Sequence, residues 1–220
     1  MGKKFDENAD KLRVAELYQF EDDARRQGYK FIAGVDEAGR GSLIGSLTVA
    51  AVILPPNFYL AHLDDSKKLS AKLRDKLFDE IKSVALAYSC VEVGMAEIDD
   101  INVYQATLHG MIRAIRELPI KPDCVLTDAM KIKFDDADIF PLIRGDKLSA
   151  SIAAASIIAK VTRDRLVDDW SKIYPGYDFD KNRGYGTKFH LNAIKNLGPT
   201  EIHRHSFNPV KTILENRNLT

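Results

Sequence analysis

KFIAGVDEAGRG, residues 30–41, decides how the rest of the chain is read. KFIAGVDE has the short apolar run of a buried strand, and it ends in two carboxylates followed by a glycine-rich turn, Ala38-Gly39-Arg40-Gly41. Acids delivered at the end of a buried strand point to an α/β sheet with a ligand crevice outside its strand termini. Adjacent strand residues face opposite ways, so Asp36 and Glu37 reach one site only if the strand ends or bulges there. The glycines at 39 and 41 make such a bulge feasible.

Outward from this stretch, SLTVAAVIL (46–54) reads as a second strand, stopped by Pro55-Pro56. Ser70 is placed to N-cap a helix running to about residue 85. LAYSCVEVG (86–94) alternates like a strand. A helix pattern fills 97–118, with Ile98, Ile101, Leu108, Met111, Ile112 and Ile115 broadly on one face. CVLTD (124–128) and IFPLI (139–143) are short strands. SASIAAASIIAKVTRDRLVDDW (149–170) is a long helix whose small residues allow close approach to a sheet. Residues 9–27 are polar and read as a helix or extension outside the core, and from Tyr174 onward loops alternate with one or two short helices. The expected fold is α/β, a mixed central sheet flanked by helices with a small C-terminal helical segment. It divides into an extension (1–28) and one domain (29–215), with a core over 29–172 and a C-terminal segment over 173–215.

The chain has 220 residues, and its 32 basic and 32 acidic residues cancel. That balance argues weakly against a polyanionic partner, but the distribution argues back. Residues 181–220 hold seven Lys and Arg against two Asp and Glu, leaving 25 against 30 in residues 1–180. A basic tail beside an acidic body suits a polyanion-binding surface next to a cation-binding pocket. No run approaches the roughly 18 apolar residues of a membrane span. MGKKFDENADKLR lacks the apolar core of a secretory signal, and Asp6 stands where a myristoylation signal needs Ser or Thr. The expectation is a cytoplasmic monomer with no membrane partner. Cys90 and Cys124 each sit in an apolar run and read as small buried thiols.

Asp36, Glu37, Asp128 and Asp146 stand at strand or helix ends rather than on polar faces. Clustered carboxylates repel one another and desolvate badly, so they persist with a cation between them. Ligation by oxygen alone suits Mg²⁺ or Mn²⁺ rather than zinc. Two such ions about 4 Å apart activate a water and stabilise a leaving oxygen in phosphodiester cleavage. Blander readings coexist: Asp146, after Gly145 and before a helix, fits a plain N-cap, and Asp128 fits a turn.

These stretches resemble ribonuclease HII over about residues 30–210. GVDEAGRG (34–41) is similar to that family's signature turn. DSKKLS (65–70), EIDDINVYQAT (97–107), AAASIIAKVTRDR (153–165), GYGTKFH (184–190) and HRHSFNPV (203–210) are similar to its later blocks, in order. The resemblance implies a ribonuclease H-like fold and a metal-dependent endonuclease acting on RNA–DNA hybrids and on duplex DNA containing ribonucleotides. It implies cleavage on the 5′ side of the ribonucleotide, leaving 3′-hydroxyl and 5′-phosphate ends. It places the catalytic, metal-holding carboxylates on Asp36, Glu37, Asp128 and Asp146, with Asp164 a competitor for the fourth place. The substrate-binding Gly-Arg-Gly element falls on Gly39, Arg40 and Gly41, the junction-sensing tyrosine on Tyr185, and phosphate contact on Lys67 or Lys68.

The residue chemistry agrees. Glycines let backbone amides approach a sugar-phosphate closely, and recognising RNA requires contact with the 2′-hydroxyl. Arg40 suits a bidentate phosphate contact, and Tyr185 a stack on sugar or base, although taken alone it reads as a turn aromatic. By composition the lysines near 67–76 read as a solvated helix face. His203 and His205 lack the further ligands of a zinc site and fit a structural or phosphate-facing role better. The chain departs from the family at Ser42 and Ser46, where prolines are usual, and at Asn182-Arg183, where His-Lys is common. Two rivals stand beside this reading: a resolvase- or transposase-type nuclease acting on DNA, which the Gly-Arg-Gly and GYGT elements disfavour, and an inactive nucleic-acid-binding module, which the full carboxylate set disfavours.

Overall fold

The computed structural model describes residues 5–217. Among them, one sheet is built from β1 (Ile32–Ala38), β2 (Leu47–Ile53), β3 (Ala87–Val93), β4 (Cys124–Asp128) and β5 (Asp138–Leu142), in the order β3-β2-β1-β4-β5. β2 is antiparallel to β1 and β3, whereas β4 is parallel to β1 and β5 is parallel to β4. The expected mixed sheet is present, flanked by helices. The helices among the described residues are α1 (Glu7–Leu17), α2 (Gln19–Arg26), α3 (Ala71–Val84), α4 (Met95–Ile101), α5 (Val103–Arg116), α6 (Ala150–Ile173), α7 (Phe179–Asn182), α8 (Lys188–Leu197) and α9 (Val210–Arg217). None is long and apolar enough to cross a membrane.

β1 is central, so both of its faces are covered. On one face Ala33 and Val35 join Val49, Met111 and Ile115, the last two from α5. On the other, Ala50 and Val52 pack with α3 and with the small residues of α6. The run Ala150, Ser151, Ala153, Ala154 and Ala155 lets the α6 backbone lie almost on the strand. A methyl placed at Gly34 would fall 2.1 Å from the Ser151 carbonyl carbon. A side chain there would push α6 off the sheet.

Three expectations are corrected. The polar stretch 9–27 does not lie outside the core: Val14 and Leu17 of α1, with Tyr18 at the junction to α2, are buried in the α6 layer. Each such side chain contributes roughly 1.5–3 kcal/mol of burial. Glu21, fully buried, accepts bonds from Ser149 Oγ at 2.6 Å and Ser151 N–H at 2.8 Å, so α2 caps the start of α6. The helix pattern over 97–118 is broken in two at Asn102, whose φ is +69°. Asn102 accepts bonds from the amides of Tyr104 and Gln105, ending α4 and starting α5. Beyond Tyr174 there are three short helices rather than one or two. Ser70 caps α3 as expected, accepting from Leu73 N–H. Both cysteines are free, Cys124 buried and Cys90 half-buried.

Candidate active site

The parallel pair β1–β4 is paired through Val35 and Thr127, and just past that point the sheet opens. A cavity of about 430 Å³ lies there, bordered by the carboxylates Asp36, Glu37 and Asp128 and by Gly39, Arg40, Gly41 and Tyr185; Asp146 is not among the residues that line it. The expected break in β1 is absent, since Asp36, Glu37 and Ala38 stay in register with Ala50, Val49 and Thr48 of β2. Both acids border the cavity because β4 no longer covers that edge of the strand. Asp146 sits in a 3-10 turn, Gly145–Lys147, just before α6. It is not that helix's N-cap, a place Ser149 takes by accepting from Ile152 N–H. Asp128 accepts from Gly145 N–H at 2.7 Å, which ties the two acidic loops together.

Asp36 is 5% exposed. Burial first, then repulsion from Glu37 and Asp128, pushes its carboxyl well above the usual carboxylate range. Burial likewise raises Glu37 and Asp128. Lys67 reaches in at 3.3 Å from Asp146 Oδ2 and offsets part of this charge. Glu37 Oε2 is buried with no hydrogen-bond partner among the described residues. As the side chains stand, no group of three or more His, Cys, Asp or Glu converges tightly enough among the described residues to hold a metal ion. The donor chemistry nonetheless fits a hard divalent cation. The candidate ligands are carboxylates, their charge is under-compensated, and one buried oxygen is unused.

The loop wall is cationic. Arg40 lies 3.8 Å from Glu37 Oε1 and over the Tyr104 ring at 5.8 Å. Tyr185 is 42% exposed, with its ring 3.7 Å from where a Gly41 side chain would start. Lys160 also borders the cavity and pairs with Asp164. Lys67 borders it too, whereas Lys68 turns away to Asp64 at 2.8 Å and lines a separate groove with Arg13 and Lys147.

Residues 33–210 match the model of one protein family, Ribonuclease HII. The chain belongs to the ribonuclease HII family, a family of endoribonucleases. Ribonuclease HII of Listeria monocytogenes is 51% identical over 91% of this chain and 76% of its own. That of Enterococcus faecalis is 49% identical over 90% and 78%. Among solved structures, ribonuclease H2 of Pyrococcus horikoshii superposes with a TM-score of 0.72 at 24% identity, covering 87% of this chain and all of that one. The Bst ribonuclease HIII solved with Mn²⁺ gives 0.60 at 16% identity, over 90% and 73%. These likenesses establish the ribonuclease H-like fold.

Within this ribonuclease HII frame the departures have local partners. Ser42 Oγ accepts from Arg163 at 3.2 Å, and Ser46 Oγ donates to Glu92 at 3.1 Å. Asn182 accepts from Gly184 N–H, and Arg183 pairs with Asp168. His203 is structural: buried, it meets His190 Nε2 at 3.1 Å and accepts from Thr200 N–H. Asp164 is engaged by Lys160 and Arg74. The basic excess over 181–220 is partly taken up within the chain, with Lys181 on Asp178 and Arg183 on Asp168 at the surface and Arg204 fully buried. Sequence reasoning missed Lys160, Arg163 and Arg204. Their signal was present in the blocks AAASIIAKVTRDR and HRHSFNPV, but nothing in a sequence tells a buried arginine from a solvated one.

Proposed function

We propose that this chain hydrolyses the RNA strand of RNA–DNA hybrids and cuts on the 5′ side of ribonucleotides embedded in duplex DNA, leaving 3′-hydroxyl and 5′-phosphate ends. One observation supports the reading: mutually repelling carboxylates, Asp36 buried among them, line one cavity together with a glycine-rich loop and an exposed tyrosine. Asp36, Glu37, Asp128 and Asp146 are the proposed catalytic ligands for Mg²⁺ or Mn²⁺. Two such ions, when bound, supply Lewis-acid activation of water and stabilisation of the departing oxygen.

The remaining work belongs to the chain. The Gly39–Gly41 backbone approaches the ribose and its 2′-hydroxyl in a shallow minor groove. Arg40, already beside Glu37, takes a phosphate oxygen with its planar fork. Lys67 neutralises charge between Asp146 and the incoming phosphodiester. Tyr185 stacks on the nucleotide at the RNA-to-DNA junction. Residues 29–215 form the proposed catalytic domain, with 173–215 holding substrate. The protein works as a monomer in the cytoplasm, serving ribonucleotide excision repair and DNA replication.

The test is incubation with a DNA duplex carrying one ribonucleotide, in Mg²⁺ or Mn²⁺, with the product ends mapped. A cut 5′ of the ribonucleotide is expected. Cleavage of an all-DNA duplex at a comparable rate would favour a DNA nuclease instead.

A further inference from the structure

Arg204 is fully buried, and its hydrogen bonds among the described residues go to backbone carbonyls alone. Nη2 donates to Gly39 O at 2.8 Å, Nη1 to Arg40 O at 2.9 Å and Nε to Gly45 O at 2.9 Å. Its own N–H donates to Leu43 O at 2.8 Å. A second guanidinium, Arg163, is buried beside it and donates to Ser42 Oγ and Ile44 O. Arg163 Nε lies 2.6 Å from where a Gly39 side chain would begin, and its Nε and Nη1 have no hydrogen-bond partner among the described residues. Two cations are thus packed behind one short loop with no close ion pair to either among the described residues. Asp164 and Glu92 act on Arg163 and Asp99 on Arg204 only at longer range, and the guanidiniums lie over the Trp170 and Phe207 rings.

Anchoring the C-terminal segment to the core does not require this arrangement. Buried charges cost several kcal/mol each, and well-packed apolar side chains often serve a fold as well or better. The loop itself gains something an apolar plug cannot give. In a trans peptide the C=O and the following N–H point in opposite directions. Arg204 pulls the carbonyls of Gly39 and Arg40 inward, so the amides of Arg40 and Gly41 are turned away from it, at a loop that borders the cavity. Gly39, at φ +88°, permits that turn. The buried positive charge stands behind those amides and strengthens them as donors.

We propose that Arg204 is a positioning residue for ribonucleotide recognition, holding the Gly39–Arg40–Gly41 loop with its amides presented to the sugar-phosphate of the ribonucleotide. This rests on the function proposed above. Arg204 touches no substrate; it acts through the loop, and Arg163 completes the charge behind it.

The test compares wild type with Arg204→Lys, which keeps the charge but loses the three-way fork, at a temperature where both are folded by circular dichroism. On a single-ribonucleotide duplex, KM should rise roughly tenfold or more with kcat within a few-fold, the pattern left when binding shared by ground and transition state is lost. The preference for binding that duplex over an all-DNA duplex, measured without divalent ions, should shrink toward unity. A folded Arg204→Lys with wild-type KM and preference overturns the proposal.

If the variant does not fold, NMR of the wild type decides. The Arg40 and Gly41 amides and the Arg204 Nε–H should shift on adding the ribonucleotide duplex, and less on adding the all-DNA duplex. Equal shifts, or none, overturn it. A wild type that does not itself distinguish the two duplexes sinks the functional reading, a result separate from failure of the positioning role alone.

Discussion

The two walls of the cavity solve opposite electrostatic problems. The carboxylate wall holds Asp36, Glu37 and Asp128, with Asp146 tied in behind them. Lys67 meets Asp146 at 3.3 Å and Arg40 meets Glu37 at 3.8 Å, yet Glu37 Oε2 stays without a hydrogen-bond partner among the described residues. The loop wall buries Arg163 and Arg204, but carbonyls occupy all three nitrogens of Arg204. The first wall is incomplete and calls for a cation from outside. The second is largely completed from within and is ready to meet an anion. A chain with no net charge can therefore hold a strong local field, because the charges are separated by position rather than by number.

The largest effect should come from breaking the first wall. Asp36→Asn removes a proposed ligand and should nearly abolish cleavage while leaving duplex binding within a few-fold. Retention of more than about a tenth of wild-type activity, under 1.4 kcal/mol of transition-state stabilisation, would remove Asp36 from the site. On the second wall, Tyr185→Ala should lower cleavage of a single-ribonucleotide duplex by one to two decades, since stacking is worth roughly 1–3 kcal/mol. Tyr185→Phe should keep most activity, and long hybrids should suffer less. Equal losses on both substrates would argue for a general defect rather than junction reading.

Smaller effects sharpen the contrast through pH. Asp36 has a folded-state pKa above its unfolded value, so its contribution favours the fold in acid and is lost as pH rises. Without divalent ions, Asp36→Asn should melt above wild type near neutral pH, by about 2–4 °C per kcal/mol relieved, and the gain should vanish in acid. His203 behaves oppositely. Burial, then the neighbouring His190, lowers it from 6.5 to about 4, so its contribution is present above 6.5 and lost as pH falls toward 4. His203→Gln should flatten the acid side of the melting-temperature profile; an unchanged profile would contradict the buried neutral pair. The smallest effect separates neighbours: Lys67→Ala should weaken cleavage several-fold, whereas Lys68→Ala, held at the surface by Asp64, should change it less than about twofold.

Much of this was legible in the sequence, and for a physical reason. Strand ends, helix caps and glycine turns are local, so Asp36, Glu37, Gly39, Gly41, Asp128 and the Ser70 cap could be read from their neighbours. What escaped depends on partners far along the chain. Glu21 and Ser149 meet across 128 residues, and Arg204 and Gly39 across 165. A polar stretch such as 9–27 gives no sign that Val14 and Tyr18 will find the α6 layer. Asn102 could have been seen as a helix breaker, since its side chain caps the next turn, but the apolar spacing on either side concealed it.

The most direct test of the central claim follows the wild-type protein with Mg²⁺ or Mn²⁺ on a DNA duplex containing one ribonucleotide, with chelated and all-DNA controls. A single cut on the 5′ side of the ribonucleotide is expected, with 3′-hydroxyl and 5′-phosphate ends and no cleavage in either control. Cleavage that persists with the metal chelated, that yields a 2′,3′-cyclic phosphate, or that proceeds equally on all-DNA duplex would contradict it.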